Sequence, residues 1–462
     1  MILEFLLAIV GIGVVAFLIG KKVNATVALF TGGLLIMLVA PLLGHTATGS
    51  YEIDPSGNMW LDQFGYIAGI LSKTTAGVGM IIMVLFGFSA YMSHIGANQA
   101  VVTVLTRPLL KLKAKYLLVP LTFWIGNLMS LAVPSASSLA VILMATLFPA
   151  LIGAGLTPLT AGAVIATTAT IMPTPLGADN VIAAERLGLD LDHYVFGLHA
   201  MISIPTLIGI GIVHYFWQKY MDKRAIAKGH DLGSSILDVE AEEAPDAPLW
   251  YAIFPILPLL LIFIPFILEQ FTSFELNAGL IPVTLLSVVV AIITEMIRKG
   301  KAVDCLNDLM IFFRGMGTGF GAVVALVVAA NVLVEAIIQI GIIDSLTDAV
   351  SGIDGAALLL FLAFAGVMLL LALLTGGVAP FYSLVEIAPP VAAASGFNGA
   401  LLTLPLQFIG NLARAMSPVA AVVLIVCSAI KTNPIQLIAR TAVPMAFGIV
   451  MSMIMTWFVV GV

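Results

Sequence analysis

The chain has 462 residues, of which 61% are hydrophobic and only 10% charged, and it carries a net charge of −6. Soluble domains carry about 25% charged residues, so this composition excludes a water-soluble globular protein and calls for a chain dissolved in a lipid bilayer. No basic patch exceeds the cluster from Arg107 to Lys115, and a cluster of that size beside membrane helices faces lipid headgroups, so nucleic acid is not an expected partner.

Apolar stretches of about 18 residues or more, enough to cross ~30 Å of hydrocarbon, recur from end to end, which predicts an all-α membrane protein and not a barrel. Met1-Ile2-Leu3-Glu4 has no positive charge, and Lys21 and Lys22 follow the apolar run, so the first helix is expected to be uncleaved with its N-terminus outside. Spans are expected at 2–20, 25–43, 77–95, 158–187 and 194–217, then at 249–268, 278–297, 315–341, 398–427 and 441–460. Residues 44–76 read as an external turn region with a short interfacial helix carrying Trp60, Phe64 and Tyr66. The stretch 229–248, rich in Ala, Glu and Asp without an apolar stripe, reads as a cytoplasmic linker between two halves, 1–228 and 249–462.

Cytoplasmic segments at 21–24, 93–116, 218–248, 298–314 and 428–440 hold 16 of the 19 Lys and Arg residues, Arg440 among them. Lys73 and Arg186 fall outside, and the positive-inside rule is met. That assignment requires 117–155 and 355–390 to enter the membrane and return, as two re-entrant hairpins. Their middles carry Ser130-Leu131-Ala132-Val133-Pro134-Ser135-Ala136-Ser137-Ser138 and Thr375-Gly376-Gly377-Val378-Ala379-Pro380. Non-helical backbone at that depth is tolerated only when buried in protein or lining a watery cavity.

The same landmarks occur twice. Pro134 to Pro380 is 246 residues, Pro173 to Pro418 is 245, and His94-Ile95-Gly96 precedes Gln339-Ile340-Gly341 by 245. The halves start on opposite sides of the membrane, so the repeat is inverted, the architecture of many secondary transporters. In each half the second break interrupts an overlong helix, at Met172 to Asn180 and at Asn411 to Pro418. The expected fold is about ten transmembrane helices, two re-entrant hairpins and two broken helices. Freed carbonyls at such breaks can coordinate a cation, and half-helix N-termini can face carboxylates.

Arg414, in Gly410-Asn411-Leu412-Ala413-Arg414-Ala415-Met416-Ser417-Pro418, is the one cation that fits neither a loop nor a membrane edge. Burying it unpaired would cost at least ~2.5 kcal/mol. A bound carboxylate that comes and goes would pair it; a distant acid such as Asp179 is the competing partner, as is snorkelling to water. Asp179, beside the first break, is a candidate proton or sodium site or a neutral buried acid. Ser135, Ser137, Ser138, Asn127, Thr375, Asn411 and Ser417 offer oxygens and amides around the breaks, though Ser and Thr also serve close helix packing. Glu335 and Glu386 fit helix ends or faces turned to the other bundle. His94, His199 and His214 lack metal-ligand spacing and read as packed or edge residues. The alternating Gly315, Gly317, Gly319 and Gly321 read as helix packing, and Asn24-Ala25-Thr26 as a glycosylation triplet without meaning at a cytoplasmic helix start. An intramembrane hydrolase would need a base beside Ser135–Ser138, and a channel would not need an occluded midplane site.

Four stretches, Phe88 to Asn98, Leu143 to Pro149, His214 to Tyr220 and Asn411 to Val419, resemble the anaerobic C4-dicarboxylate carriers of the DcuC type, and Ala379 to Glu386 resembles that family's second hairpin. The tip Pro134-Ser135-Ala136-Ser137-Ser138 and the break Pro175-Leu176-Gly177-Ala178-Asp179-Asn180 depart from the family pattern, with Asp179 kept. The resemblance implies a member of the ion transporter superfamily in the bacterial inner membrane, carrying succinate, fumarate, malate or aspartate by exchange, uptake or efflux. Carriage of another carboxylate or an amino acid is the alternative within that superfamily. It also implies alternating access, a homodimer, and a scaffold (helices of 1–76 and 249–297) holding transport-core elements of 77–228 and 315–462. The expected substrate-binding residues are Arg414, Asn411, Ser417, Ser135, Ser137, Ser138, Thr375, Gly376, Gly377 and Thr174. Asp179, Asn180, Asn127 and Thr170 are the expected cation-coupling residues, for sodium or a proton, with no other cofactor or metal.

Overall fold

The computed structural model describes residues 2–21, 23–47, 53–109, 114–227, 247–269, 271–272, 279–341 and 356–461; the expected linker lies almost wholly outside these. Every regular element among them is helical. The first half runs α1 (Ile2–Gly20), α2 (Ala25–Val39), α3 (Met59–Thr74), α4 (Met80–His94) and α5 (Ala97–Thr106). It continues with α6 (Leu118–Met129), α7 (Ala136–Thr146), α8 (Phe148–Gly153), α9 (Pro158–Ala166), α10 (Ala178–Leu187) and α11 (Ala200–Ala227). The second half runs α12 (Ile253–Glu269), α13 (Leu280–Lys299), α14 (Ala302–Gly319), α15 (Ala325–Gln339) and α16 (Ala356–Thr375). Then follow α17 (Ala379–Leu384), α18 (Ala388–Ala394), α19 (Ala400–Ala413), α20 (Ala421–Ala429) and α21 (Pro434–Val460). Among the described residues nine helices are long and apolar enough to cross a membrane.

The first difference from expectation is at 44–76. Residues 59–94 form one continuous helix of 36 residues, kinked at Gly77, and Tyr66 is fully buried instead of lying at an interface. Asp62 and Lys73 lower the local hydropathy, but Gln63, Tyr66, Ile70 and Thr74 form a buried stripe at helical spacing that packs α3 on protein. Likewise α14 extends the expected span at 315–341 back to Ala302, making a 38-residue helix. Its buried face, Cys305, Phe312, Gly315 and Gly319, lies on α4. The hairpins also differ from each other: α6 and α7, with 12 and 11 residues, are too short to cross, whereas α16 has 20.

The inverted repeat extends beyond the prolines. Both long helices contain a π turn, at Thr75–Gly79 and Phe320–Val324, again 245 residues apart. Both end at a glycine in the left-handed region, Gly96 (φ 78°) and Gly341 (φ 71°), a conformation that stops a helix at little steric cost only in glycine.

The glycines of α14 divide by face. A Cβ on Gly315 would come within 2.8 Å of the Gly87 Cα, whereas at Gly317 nothing lies within 4 Å. The α4–α14 crossing therefore depends on a small-residue face. Gly315→Val should destabilise the protein by about 1–3 kcal/mol, the usual cost of overpacking, whereas Gly317→Val should not. Thermal unfolding in detergent compares the two; equal midpoints would rule out this role for the crossing.

Arg440 requires the largest correction. Expected in a cytoplasmic loop, it is 2% exposed inside α21, with Nη1 2.6 Å from Asp222 Oδ1 on α11. Asp222 also accepts from Thr157 (3.0 Å), Thr160 (2.9 Å) and Tyr116 (3.2 Å). The helices simply run further than their hydropathy windows, α11 to Ala227 and α21 from Pro434, and so carry two charges into a protein-lined interior.

Candidate functional site

Each hairpin holds the broken helix of its own half. Asn127, near the end of α6, accepts from Thr170 N at 2.9 Å and Thr170 Oγ1 at 2.8 Å, while its own amide donates to Phe123 O at 2.9 Å. In the second half Ser417 Oγ donates to Leu373 O at 2.7 Å. Gly376, at φ 87°, lets the hairpin backbone approach Ala420 so closely that a Cβ would lie 3.0 Å from its Cα. Gly377 packs on the stem of Arg414.

The two breaks then meet each other. Arg414 Nη2 donates to the Ala169 carbonyl, and these residues are 245 apart, the repeat offset itself. Equivalent positions touching each other lie on the axis that relates the two halves. Ala169 has φ 54°, a region a Cβ-bearing residue occupies only under strain. Among the described residues no acidic group lies within 4 Å of the Arg414 guanidinium, and Asp179, which shares the cleft, acts on it at longer range.

Asp179 sits in the first turn of α10, at the half-helix N-terminus. Its Oδ2 accepts from Asn411 Nδ2 at 2.7 Å and from Gln407 Nε2 at 3.1 Å. Gln407 Nε2 also donates to Asn180 Oδ1 at 2.7 Å, Tyr194 OH donates to Gln407 Oε1, and Asn180 Nδ2 donates to Thr174 O at 2.8 Å. Among the described residues the side-chain donors to Asp179 are neutral amides, which hold the carboxylate in place, while the Arg414 guanidinium acts on it at longer range.

Arg414, Asn411, Asp179, Asn180, Thr174 and Thr170 line one small cleft with about 50 Å³ of room for water-sized molecules, which also takes in Ser130, Pro134 and His199. That is well below the ~300–1,000 Å³ of small-molecule sites, room for water and not for a dicarboxylate in this conformation. Both a guanidinium and a carboxylate line it, and among the described residues neither has an oppositely charged group within 4 Å. The other expected residues sit elsewhere: Ser135 caps α7, accepting from Ser138 N at 3.3 Å and Ser138 Oγ at 3.0 Å, with Ser137 on the same first turn. Thr375 is exposed and bonds back to Leu371 O at 2.9 Å. Gln407, Tyr194 and Ala169 are participants the sequence reading did not single out, and His199, read there as a packed or edge residue, lines the cleft. Gln407 was within reach of it, being a second amide one turn before Asn411 on the same helix face. His199 is held by Ser203 at 3.1 Å and packs edge-on to Phe408. Among the described residues no group of three or more His, Cys, Asp or Glu could hold a metal ion.

The sequence profile of the family described as "C4-dicarboxylate anaerobic carrier", DcuC, matches residues 3–461. The anaerobic C4-dicarboxylate transporters DcuC of Escherichia coli K12 and of Shigella flexneri are each 36% identical to this chain over 459 residues, 98% of it and 96% of their own length. Among solved structures, the YdaH transporter of Alcanivorax borkumensis, whose crystal structure was described as having an unusual topology, superposes with a TM-score of 0.56 at 14% identity. It covers 94% of this chain and 98% of its own. That likeness concerns the fold.

Proposed function

The chain belongs to the C4-dicarboxylate anaerobic carrier family, and from that premise we propose that it moves C4-dicarboxylates by alternating access, with Arg414 as the anchor of one substrate carboxylate. It is a transporter, a multi-pass protein of the bacterial inner membrane. The observation that carries the reading is the Arg414 guanidinium, with no acidic group within 4 Å among the described residues, on the wall of a cleft at the meeting point of two broken helices. A guanidinium fork matches a carboxylate in two parallel hydrogen bonds. Asn411 and Thr174 supply further polar contacts, and Ser417, Gly376 and Gly377 hold the second hairpin in register with Arg414. Ser135, Ser137, Ser138 and Thr375 lie at the hairpin tips and would reach substrate only after the hairpins close.

Asp179 is assigned to the coupling cation, sodium or a proton, with Asn180, Thr170 and Asn127 as supporting oxygens. Each charge moved across the membrane is worth about 2.3 kcal/mol per 100 mV, so a dianion enters against an inside-negative potential only with compensating cations. Residues 1–76 and 249–297 are assigned to the scaffold of a homodimer, with Gly77, at the kink of the long helix, as the boundary with the moving core. Asp179→Asn is expected to abolish gradient-driven accumulation of labelled succinate in proteoliposomes while substrate-for-substrate exchange continues. Undiminished accumulation under separate sodium and pH gradients would refute the assignment.

A further inference from the structure

α10 links the cleft to a second polar cluster. Asp179 is in its first turn and Arg186 in its last, so the two residues lie about 10 Å apart along the axis at ~1.5 Å per residue. Arg186 Nε is 2.6 Å from Glu386 Oε2, on the segment between α17 and α18, and Arg186 Nη1 is 3.9 Å from Glu185. α15 contributes Asn331: with its amide nitrogen toward Glu386 it donates to Oε2 at 2.6 Å, and its oxygen accepts from Arg186 Nη2 at 3.0 Å and Thr74 Oγ1 at 3.2 Å. One turn further on, Glu335 accepts from Tyr66 OH at 2.7 Å. Glu335 and Glu386 are each 6% exposed. The sequence reading placed both near helix ends or facing the other bundle; Glu335 lies four residues from the end of α15 and accepts from Tyr66 of the first half.

This cluster ties the elements that build the cleft, α10 and the second hairpin, to the long helices that contain α3 and α15. Within it Glu386 Oε1 is buried without a hydrogen-bond partner among the described residues. A carboxylate with one oxygen held by a cation and an amide, and the other bare in a protein interior, is an incomplete arrangement. A metal cation would be repelled by the adjacent guanidinium; a proton needs only the one bare oxygen. The charged groups facing Glu386 are Arg186 and Glu185 from α10 and Glu335 from α15, with Lys73 next to Thr74 on α3. Arg186 keeps 23% side-chain exposure, and the positive-inside reading places it on the external side.

We propose that Glu386 is a proton-binding site of the carrier, loaded from the external face. A proton from water binds at Oε1 to give the neutral acid, which weakens the hold on Arg186 and Asn331 and frees α10 and the second hairpin to move past α15; re-pairing with Arg186 releases it. The inference rests on the reading of the chain as a dicarboxylate carrier, in which a dianion crosses without net charge only with two positive charges, and Asp179 accounts for one.

The test is accumulation of labelled succinate in proteoliposomes with the membrane potential clamped at zero and the pH gradient varied. Each co-transported proton multiplies the accumulation ratio about tenfold per unit of pH gradient, so Glu386→Gln should lower the slope of log accumulation against pH gradient by one. Glu386→Asp should keep the wild-type slope. Exchange of labelled for unlabelled succinate at equal pH should persist in both. A wild-type slope in Glu386→Gln, even with slower transport or lower thermal stability, would reduce the cluster to a structural clamp and overturn the proposal. Absence of succinate transport by the wild-type protein would instead overturn the carrier reading. Should Glu386→Gln not fold, Asn331→Ala removes a donor to the carboxylate and must move the external pH at which proton-coupled accumulation falls off to a higher value; an unmoved profile also overturns the proposal.

Discussion

Arg414→Lys is expected to fold, insert and bind dicarboxylate roughly 10- to 150-fold more weakly, the equivalent of the ~1.5–3 kcal/mol carried by a hydrogen bond to a charged group. Lysine keeps the charge but has no planar fork, so it cannot hold a carboxylate in two parallel bonds or bond the Ala169 carbonyl in the same pose. Arg414→Ala should abolish saturable transport, because the cleft then presents only the Asp179 carboxylate to an anionic substrate. Apparent KM for succinate, measured by uptake and by equilibrium binding in detergent, separates affinity from turnover. Unchanged affinity in both variants would remove Arg414 from the site.

The second large effect is on stability. Asp222→Asn leaves the Arg440 guanidinium buried with hydroxyls and an amide in place of a carboxylate, and breaking a buried pair from one side costs about 3–5 kcal/mol. The expected readout is a lowered unfolding temperature in detergent, with less folded protein in the membrane. Changing both partners, Asp222→Leu with Arg440→Met, should recover most of the loss, since neither charge is then left alone. A double variant no more stable than Asp222→Asn would show that the pair is not what holds α11 and α21 together there.

The contrast between Arg414 and Arg440 marks the limit of reading charges one at a time. Both are drawn into the protein interior, Arg440 fully buried and Arg414 partly so. Arg440 looked like a loop residue because its window also holds Lys431 and polar residues, and its partner Asp222 lies 218 residues earlier. Arg414 stood out because its window is apolar on both sides. The same averaging hid α3, whose lipid-unlike composition belongs to a helix packed on protein, and joined α14 to a loop.

At the cleft, Asp179, Asn411 and Arg414 were legible as polar groups beside helix breaks, and the breaks themselves followed from proline positions. The serines of the first hairpin tip attracted attention by composition alone, yet Ser135 spends its hydroxyl on capping α7. Gln407 and Tyr194 read as ordinary helix residues, and they acquire a role only because α10 delivers Asp179 and Asn180 against them.

What the sequence determined by itself is what depends on local composition and on spacing along the chain: membrane residence, helix count to within the hairpins, the inverted repeat at an offset of 245, and the two breaks. Hydropathy and backbone breaking are properties of short windows, so they are written in short windows. Only the tertiary structure decided which buried charges are paired, which polar side chains face the cleft, and that Ala169 and Arg414 meet on the repeat axis. Those outcomes depend on which distant helix lies opposite, at distances of 2.6–3.2 Å for Asp222 and its partners, and no window of sequence contains both sides of such a contact.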